Sequence, residues 1–298
     1  MAYQKIKGVI PPVITPFKQG RVDYQAYEAN VLRWNESALA GYLVLGSNSE
    51  APYLEPADKL ELIRVTKRVA APDRLIMAGT GLESTRATID LTNQAGEAGA
   101  DCALLLTPCY YGDQMTDAAL IHYFSSVADA SEIPILIYNV TKFTHLNISP
   151  AVVAELSHHP NIIGMKDSSG SIVQLVSFMV KGLSKEFNLL VGTASAWYPA
   201  LTIGIEGAVM ALANCCPDQM AEVQRLFEAG DLAASQALYQ KLFPVNICVT
   251  GKLGVAALKH ACGLLGYTPG EVCPPLLPLS AAEKDHVEAI IRDAGLLA

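Results

Sequence analysis

The 298-residue chain is short of the features that announce most partners and cofactors. It has no Lys/Arg run, and its net charge of −8 is dispersed, which argues against nucleic acid as a partner. No apolar run reaches the length of a membrane span. No CxxC occurs among the seven cysteines, whose number is odd and whose spacing is irregular, with Cys215 and Cys216 adjacent. That excludes a disulfide framework and points to reduced, cytoplasmic usage. No HExxH or carboxylate-rich loop accompanies the His158-His159 pair, so a metal site is not expected. Met1 leads directly toward a strand-like segment, with no signal or transit pattern. The Asn-x-Ser/Thr matches at Asn35, Asn139 and Asn147 read as chance, Asn139 directly following a core strand.

What is present is apolar residue in quantity, 51% of the chain, enough for one large core or two domains. It comes as short apolar runs alternating with longer amphipathic ones. The runs at 8–15, 41–46, 75–79, 102–107, 133–139, 162–166, 189–192 and 208–212 are almost continuously apolar, as strands covered on both faces must be. Helical periodicity fills the gaps, at 24–38, 56–70, 84–98, 116–130, 149–158, 172–183 and 194–203, with Ser84 or Thr85 as a cap candidate. Eight strands with interleaved helices predict an α/β fold, a (β/α)8 TIM barrel. A doubly wound sheet is the alternative, but Gly79-Thr80-Gly81 lacks the third glycine of a dinucleotide turn and reads as a tight strand-to-helix turn. Beyond Pro217 only helical patterns remain, at 219–229, 232–243, 253–265 and 281–294. The expected organisation is therefore a barrel domain over 1–216 and a C-terminal helical extension over 217–298.

One run ends in a charge. Ile162-Ile163-Gly164-Met165-Lys166-Asp167-Ser168 closes an apolar strand with a lysine. An ammonium leaves water only at high cost, and burial favours the neutral, nucleophilic amine that makes Schiff bases with carbonyl compounds. Taken alone, such a lysine more often places its head in solvent. Barrel function collects at the C-terminal ends of strands. There the sequence sets Thr15-Pro16, Gly46-Ser47-Asn48-Ser49-Glu50, Thr107-Pro108-Cys109-Tyr110-Tyr111, Tyr138-Asn139, Lys166-Asp167-Ser168 and Ala213-Asn214. Each has a plain structural reading: Tyr138 as a core aromatic, Ser47-Asn48 as a cap ahead of Pro56, Tyr110-Tyr111 as interface packing. Together they describe a pocket for carbonyl chemistry, with an amine, phenols, and hydroxyl and amide donors for a carboxylate.

These segments, with Pro12-Val13-Ile14-Thr15-Pro16-Phe17 and Gly79-Thr80-Gly81, occur in the order found in the dihydrodipicolinate synthase/N-acetylneuraminate lyase family of class I aldolases, which the chain resembles along its whole barrel. Within that family the pattern is nearest the 4-hydroxy-2-oxoglutarate aldolases, on Gly46-Ser47-Asn48, Thr107-Pro108-Cys109-Tyr110-Tyr111, Ala119-Leu120-Ile121-His122 and 159–168. The resemblance implies a pyruvate-dependent lyase that cleaves a 4-hydroxy-2-oxo acid to pyruvate and an aldehyde. The alternatives are dihydrodipicolinate synthase, a sugar-acid lyase or 2-keto-3-deoxy acid dehydratase, and a 2-oxo-acid-binding barrel without turnover, which would need neither Lys166 nor Tyr138.

The resemblance also assigns roles. Lys166 would form the imine, and Tyr138 would shuttle protons. Tyr110 would complete the relay, reaching in from a neighbouring subunit. Ser47 and Asn48 would hold the substrate carboxylate and relay a proton, Ser168 would add a further relay hydroxyl, and Val209 and Phe143 would complete the substrate-binding set. No metal or other cofactor is implied, and a homo-oligomer, dimer or tetramer, is. Two positions depart from the family pattern. Ser49 stands where glycine is common. Phe143 stands five residues after Tyr138, where the synthases carry an arginine that pairs with the aldehyde's carboxylate. Phenylalanine cannot form that pair, which leaves Lys142 and His145 as the nearby cations.

Overall fold

A computed structural model describes residues 5–297. Eight parallel strands form one sheet: β1 (Gly8–Ile10), β2 (Gly41–Val44), β3 (Leu75–Gly79), β4 (Cys102–Leu106), β5 (Ile135–Asn139), β6 (Ile162–Asp167), β7 (Asn188–Val191) and β8 (Gly207–Val209). From β2 to β8 each pairs with its sequence neighbour, and β1 pairs with β8. The sheet closes between β1 and β2 through Ala40 N–H to Val9 O, Leu43 N–H to Pro11 O and Val13 N–H to Leu43 O, each 2.9 Å. The fold is thus the TIM barrel that the strand pattern predicted.

Strand β1 is shorter than the apolar run 8–15. Pro11 and Pro12 have no N–H to give to a ladder, so regular pairing stops at Ile10. Strand β8 likewise stops at Val209, and the chain turns into a short 3₁₀ segment, Ala211–Asn214. The side chain of Asn214 then repairs the seam. Its Oδ1 accepts Ile14 N–H at 3.0 Å, and its Nδ2 donates to Pro12 O at 3.0 Å. An antiparallel hairpin, Phe17–Lys18 with Arg21–Val22, turns through Gln19 and Gly20, both at positive φ; the sequence pattern did not reveal it.

Helices α1 (Tyr24–Asn35), α2 (Pro56–Val69), α3 (Thr85–Glu97), α4 (Asp117–Ala130), α5 (Pro150–Leu156), α6 (Ile172–Val180) and α7 (Trp197–Thr202) follow the first seven strands. Most begin at a side-chain cap of the kind that satisfies an otherwise free N–H. Asp23 accepts from Ala26, Ser84 from Ala87, Thr116 from Ala119 and Ser171 from Gln174. Helix α8 (Pro217–Glu228) occupies the eighth helical position and packs against β1. Helices α9 (Leu232–Asn246), α10 (Gly254–Leu264) and α11 (Ala281–Asp293) follow, and a wide π-type turn, Ile247–Lys252, joins α9 to α10. Their buried residues share one apolar core with Val9, Val31 and Trp34 of the barrel side. Among the described residues no helix is long and apolar enough to cross a membrane.

The barrel interior is filled by one layer set from successive strands: Ile10, Leu43, Met77, Leu104, Leu136, Leu190 and Val209. Strand β6 enters this layer irregularly. Ile135 faces Ile162, but Leu136 faces Gly164, so Ile163 is an extra residue on β6. A bulge of this kind shifts the side-chain alternation by one. Ile163 packs inside with Leu136, whereas Met165 packs outside with Ile137 and Phe178. The shift sets Lys166 directly beside Tyr138; continued without it, the pairing would set Met165 there.

Two residues sustain the bulge. Asn188 Nδ2 donates to Ile163 O at 2.9 Å, while Asn188 Oδ1 accepts Ile6 N–H at 2.7 Å. Gly164 leaves room for β7, since a Cβ there would lie 2.4 Å from Asn188 O. Gly164→Ala should therefore lower stability by about 1–3 kcal/mol, the usual cost of forcing atoms into a packed site. Urea denaturation measures it, and an unchanged midpoint would show that β7 yields without cost.

Candidate active site

The strand ends converge on Lys166. Its side chain rises from β6 into the barrel and is only 3% exposed. The amine nitrogen stands 4.2 Å from the centre of the Tyr138 ring. Tyr138, on the adjacent strand, is 5% exposed. Burial by itself would raise the pKa of this phenol. The Lys166 ammonium and hydrogen bonds with Ser168, Lys166 and Ser47 outweigh it, so the Tyr138 pKa lies below its ordinary value of 10.0. The phenol therefore surrenders its proton more readily than a tyrosine in water, while a hydroxyl on either side can carry that proton onward.

Ser47 and Asn48 sit half-buried on a 3₁₀ turn, Ser47–Ser49, that follows β2. Ser49, the departure from the family glycine, is fully used: its hydroxyl donates to Val13 O at 2.5 Å and accepts Gly46 N–H at 3.1 Å. It ties the turn to the β1 seam. Ser168 follows β6, and its hydroxyl also reaches Gly192 O at 3.4 Å. Val209 lies fully buried in the same interior cluster as Tyr138.

The neighbour of Lys166 is held from outside. Asp167 is 1% exposed. Its Oδ1 accepts from Asn139 Nδ2 at 2.7 Å and Gln174 Nε2 at 2.9 Å, and its Oδ2 accepts Ser169 N–H at 3.3 Å. Asn139 Oδ1 in turn accepts Ile148 N–H at 3.1 Å. This network locks the ends of β5 and β6 together, and with them Tyr138 and Lys166.

Two expected site residues stand apart from this cluster. Tyr110 is 79% exposed at the rim, its ring edge-on to Tyr111 at 5.0 Å between centroids. Phe143 is half-exposed on a helical turn, Thr141–Thr144. Lys142 on that turn donates to Gly251 O at 3.1 Å, and His145 ends the turn at positive φ. Among the described residues no group of three or more His, Cys, Asp or Glu is placed to hold a metal ion. All seven cysteines are free thiols.

One part of the site was not foreseen. Glu50, immediately after the Ser47 turn, adopts the left-handed conformation and is buried. Its carboxylate pairs with the Lys259 amine of α10 at 2.5 Å, and both side chains are almost wholly enclosed, 1% and 3% exposed. Cys273 N–H donates to Glu50 Oε2 at 2.7 Å, and Lys259 donates to Glu271 O at 2.6 Å while lying 4.8 Å over the Phe17 ring. Burial pushes the Lys259 amine below its ordinary range, and Glu50 draws it back. The signal was a lysine inside an apolar helical stretch, Val255-Ala256-Ala257-Leu258-Lys259.

The chain is similar to known proteins along its whole length. The model of the dihydrodipicolinate synthetase family matches residues 5–294. The chain is 32% identical over 292 residues to 4-hydroxy-tetrahydrodipicolinate synthase of Thermodesulfovibrio yellowstonii, covering 98% of this chain and 99% of that one. It is 33% identical over 288 residues to the protein of the same name from Methanothrix thermoacetophila, covering 96% and 95%. The crystal structure of dihydrodipicolinate synthase from Thermotoga maritima superposes with a TM-score of 0.93 at 26% identity, covering 99% and 100% of the two chains. These relatives carry the synthase name, not that of the 4-hydroxy-2-oxoglutarate aldolases toward which the sequence motifs leaned.

The ion pair at the edge of the site yields a direct test. Lys259→Met should cost about 3–5 kcal/mol, because it strands the Glu50 carboxylate in the interior. Glu50→Gln combined with Lys259→Met should recover a large part of that loss. Thermal and urea unfolding of both variants measures this, and a Lys259→Met protein as stable as the parent would show that water reaches Glu50.

Proposed function

The chain belongs to the dihydrodipicolinate synthetase family of class I aldolases and lyases, and on that basis we propose that it activates pyruvate as an imine on Lys166. The observation that carries this reading is the enclosed Lys166 amine 4.2 Å from the centre of the Tyr138 ring. In the proposed sequence the Lys166 amine adds to the ketone carbon of pyruvate. The carbinolamine loses water as Tyr138 delivers a proton to the departing hydroxyl. The resulting iminium draws electrons from the adjacent bond, so a methyl proton passes to the Tyr138 phenolate and an enamine forms. The enamine carbon then attacks an aldehyde, and in the reverse direction the same iminium accepts the electrons of the breaking C–C bond. Ser47 and Ser168, whose hydroxyls help hold the Tyr138 phenol below its ordinary pKa, relay the proton. Ser47 and Asn48 hold the pyruvate carboxylate, and Val209 lines the pocket. An iminium supplies the electron sink, so the scheme calls for no metal or other cofactor.

The names of the relatives favour condensation of pyruvate with aspartate semialdehyde as the overall reaction. A specific observation favours the second reading, cleavage of 4-hydroxy-2-oxoglutarate. By the resemblance, half-exposed Phe143 stands where the synthases carry a carboxylate-pairing arginine, and the nearby Lys142 is engaged with Gly251 O. We further propose a homo-oligomeric, cytoplasmic enzyme, a dimer or tetramer. Its exposed apolar residues support contact with further copies: Tyr110 and Tyr111 at the rim, Val173 and Val180 on α6.

Borohydride added with pyruvate should fix a stable adduct on the peptide containing Lys166. Tyr138→Phe should fold normally and lose about 10²–10⁴-fold in kcat. Mass spectrometry and steady-state kinetics read the two results, and an adduct on Lys142 instead would sink the assignment.

The choice of second substrate is decided by kcat/KM for both candidates on one preparation. A missing charge-assisted hydrogen bond should leave aspartate semialdehyde about 10–200-fold poorer than in an arginine-bearing synthase. Phe143→Arg should then raise its use. Should 4-hydroxy-2-oxoglutarate still be the better substrate of the parent protein, the cleavage reading takes first place.

A further inference from the structure

The family resemblance gives Tyr110 a place in the proton relay, yet its ring is exposed and, among the described residues, meets one other aromatic ring, that of Tyr111. Something must aim it. The loop that carries it leaves β4 through Thr107-Pro108, and Pro108 has no N–H. Backbone bonds resume only at Gln114 N–H to Tyr111 O and Met115 N–H to Gly112 O. Between them, the N–H groups of Cys109 and Tyr110 both point to one side chain, Glu83. Its Oε2 accepts Cys109 N–H and Tyr110 N–H, each at 3.0 Å. Its Oε1 accepts the same Cys109 N–H at 3.2 Å and the Cys109 thiol at 3.3 Å.

Glu83 is itself mounted on fixed backbone. The preceding residue, Leu82, donates its N–H to Thr88 Oγ1 at 3.0 Å, and Leu82 O accepts from Tyr123 at 3.2 Å. Both partners belong to helices packed on the barrel. Glu83 stands two residues before α3, where a carboxylate would ordinarily turn back to the helix N-terminus. Ser84 already caps that end, and Glu83 turns to the neighbouring loop instead. A carboxylate can accept several donors at once, and an amide in its place offers one oxygen and presents an NH2 to the remaining donors.

We propose that Glu83 is a positioning residue that aims Tyr110 at the reaction centre through the backbone of residues 109–110. Burial, and then the hydrogen bond and charge of Glu83, raise the Cys109 thiol, which keeps it a donor in the same clasp. The proposal rests on the relay role given to Tyr110.

The test is a double-mutant cycle on the full-length protein with Glu83→Gln, Tyr110→Phe and both together. Glu83→Gln should lower kcat roughly 10-fold, the scale of a lost charge-assisted hydrogen bond, with KM for pyruvate little changed. In the Tyr110→Phe background the same substitution should cost nothing further, because it acts through the hydroxyl already removed. Borohydride trapping of pyruvate on Lys166 should persist in all three, which separates this proposal from the imine reading. Full kcat in Glu83→Gln, full kcat in Tyr110→Phe, or losses that multiply in the double variant would each overturn it.

Discussion

The extra residue in β6 is the constraint from which the site follows. A barrel strand alternates strictly between the interior and the helices outside it. Without Ile163 as a bulge, the alternation of the first half of β6 would carry Lys166 to the outer face, among apolar side chains such as Phe178. With it, one amine enters an otherwise apolar interior next to one phenol. Both halves of β6 are buried on both faces, so neither can slip without exposing a wrong side chain. Register, and not affinity between Lys166 and Tyr138, thus brings the two groups together.

The electrostatics follow from that placement. The ammonium and phenol are both almost wholly enclosed, and each alters what the other can do. The cation stabilises phenolate, and the hydroxyls of Ser47 and Ser168, which follow β2 and β6, favour it too. The supports lie outside the reacting groups. Asp167 faces the opposite side of β6 from Lys166 and binds Asn139, the opposite-facing neighbour of Tyr138. Alternation gives each strand end one residue for the interior and one for holding the strand.

The sequence carried the barrel because near-continuous apolar runs alternating with amphipathic ones leave few other folds. It carried Lys166, Tyr138, Ser47 and Ser168 because they lie at strand ends in a known order. It did not carry the bulge, since Ile162-Ile163-Gly164 is apolar throughout and shows no period that an inserted residue could break. Nor did it reveal the clasp by Glu83, a single acidic residue among loop residues, whose partners are backbone groups with no side-chain signature. The length of β1 was legible in Pro11-Pro12 and was overrun by the apolar pattern around them. The switch from the oxoglutarate-aldolase names to the synthase names shows a different limit. Motifs around the lysine report the chemistry of pyruvate, which the whole family shares, and say little of the aldehyde.

The pair between Glu50 and Lys259 bears on how such a barrel can be inherited. Lys259 lies beyond the last strand, on a helix that a purely architectural view would call an appendage. It neutralises a charge buried directly behind the Ser47 turn. A gene fragment that encoded all eight strands and stopped before α10 would therefore specify a barrel with an unpaired carboxylate in its interior. Recombination can append new segments to this molecule at its surface, but the closing helices and the Ser47 turn have to travel as one unit.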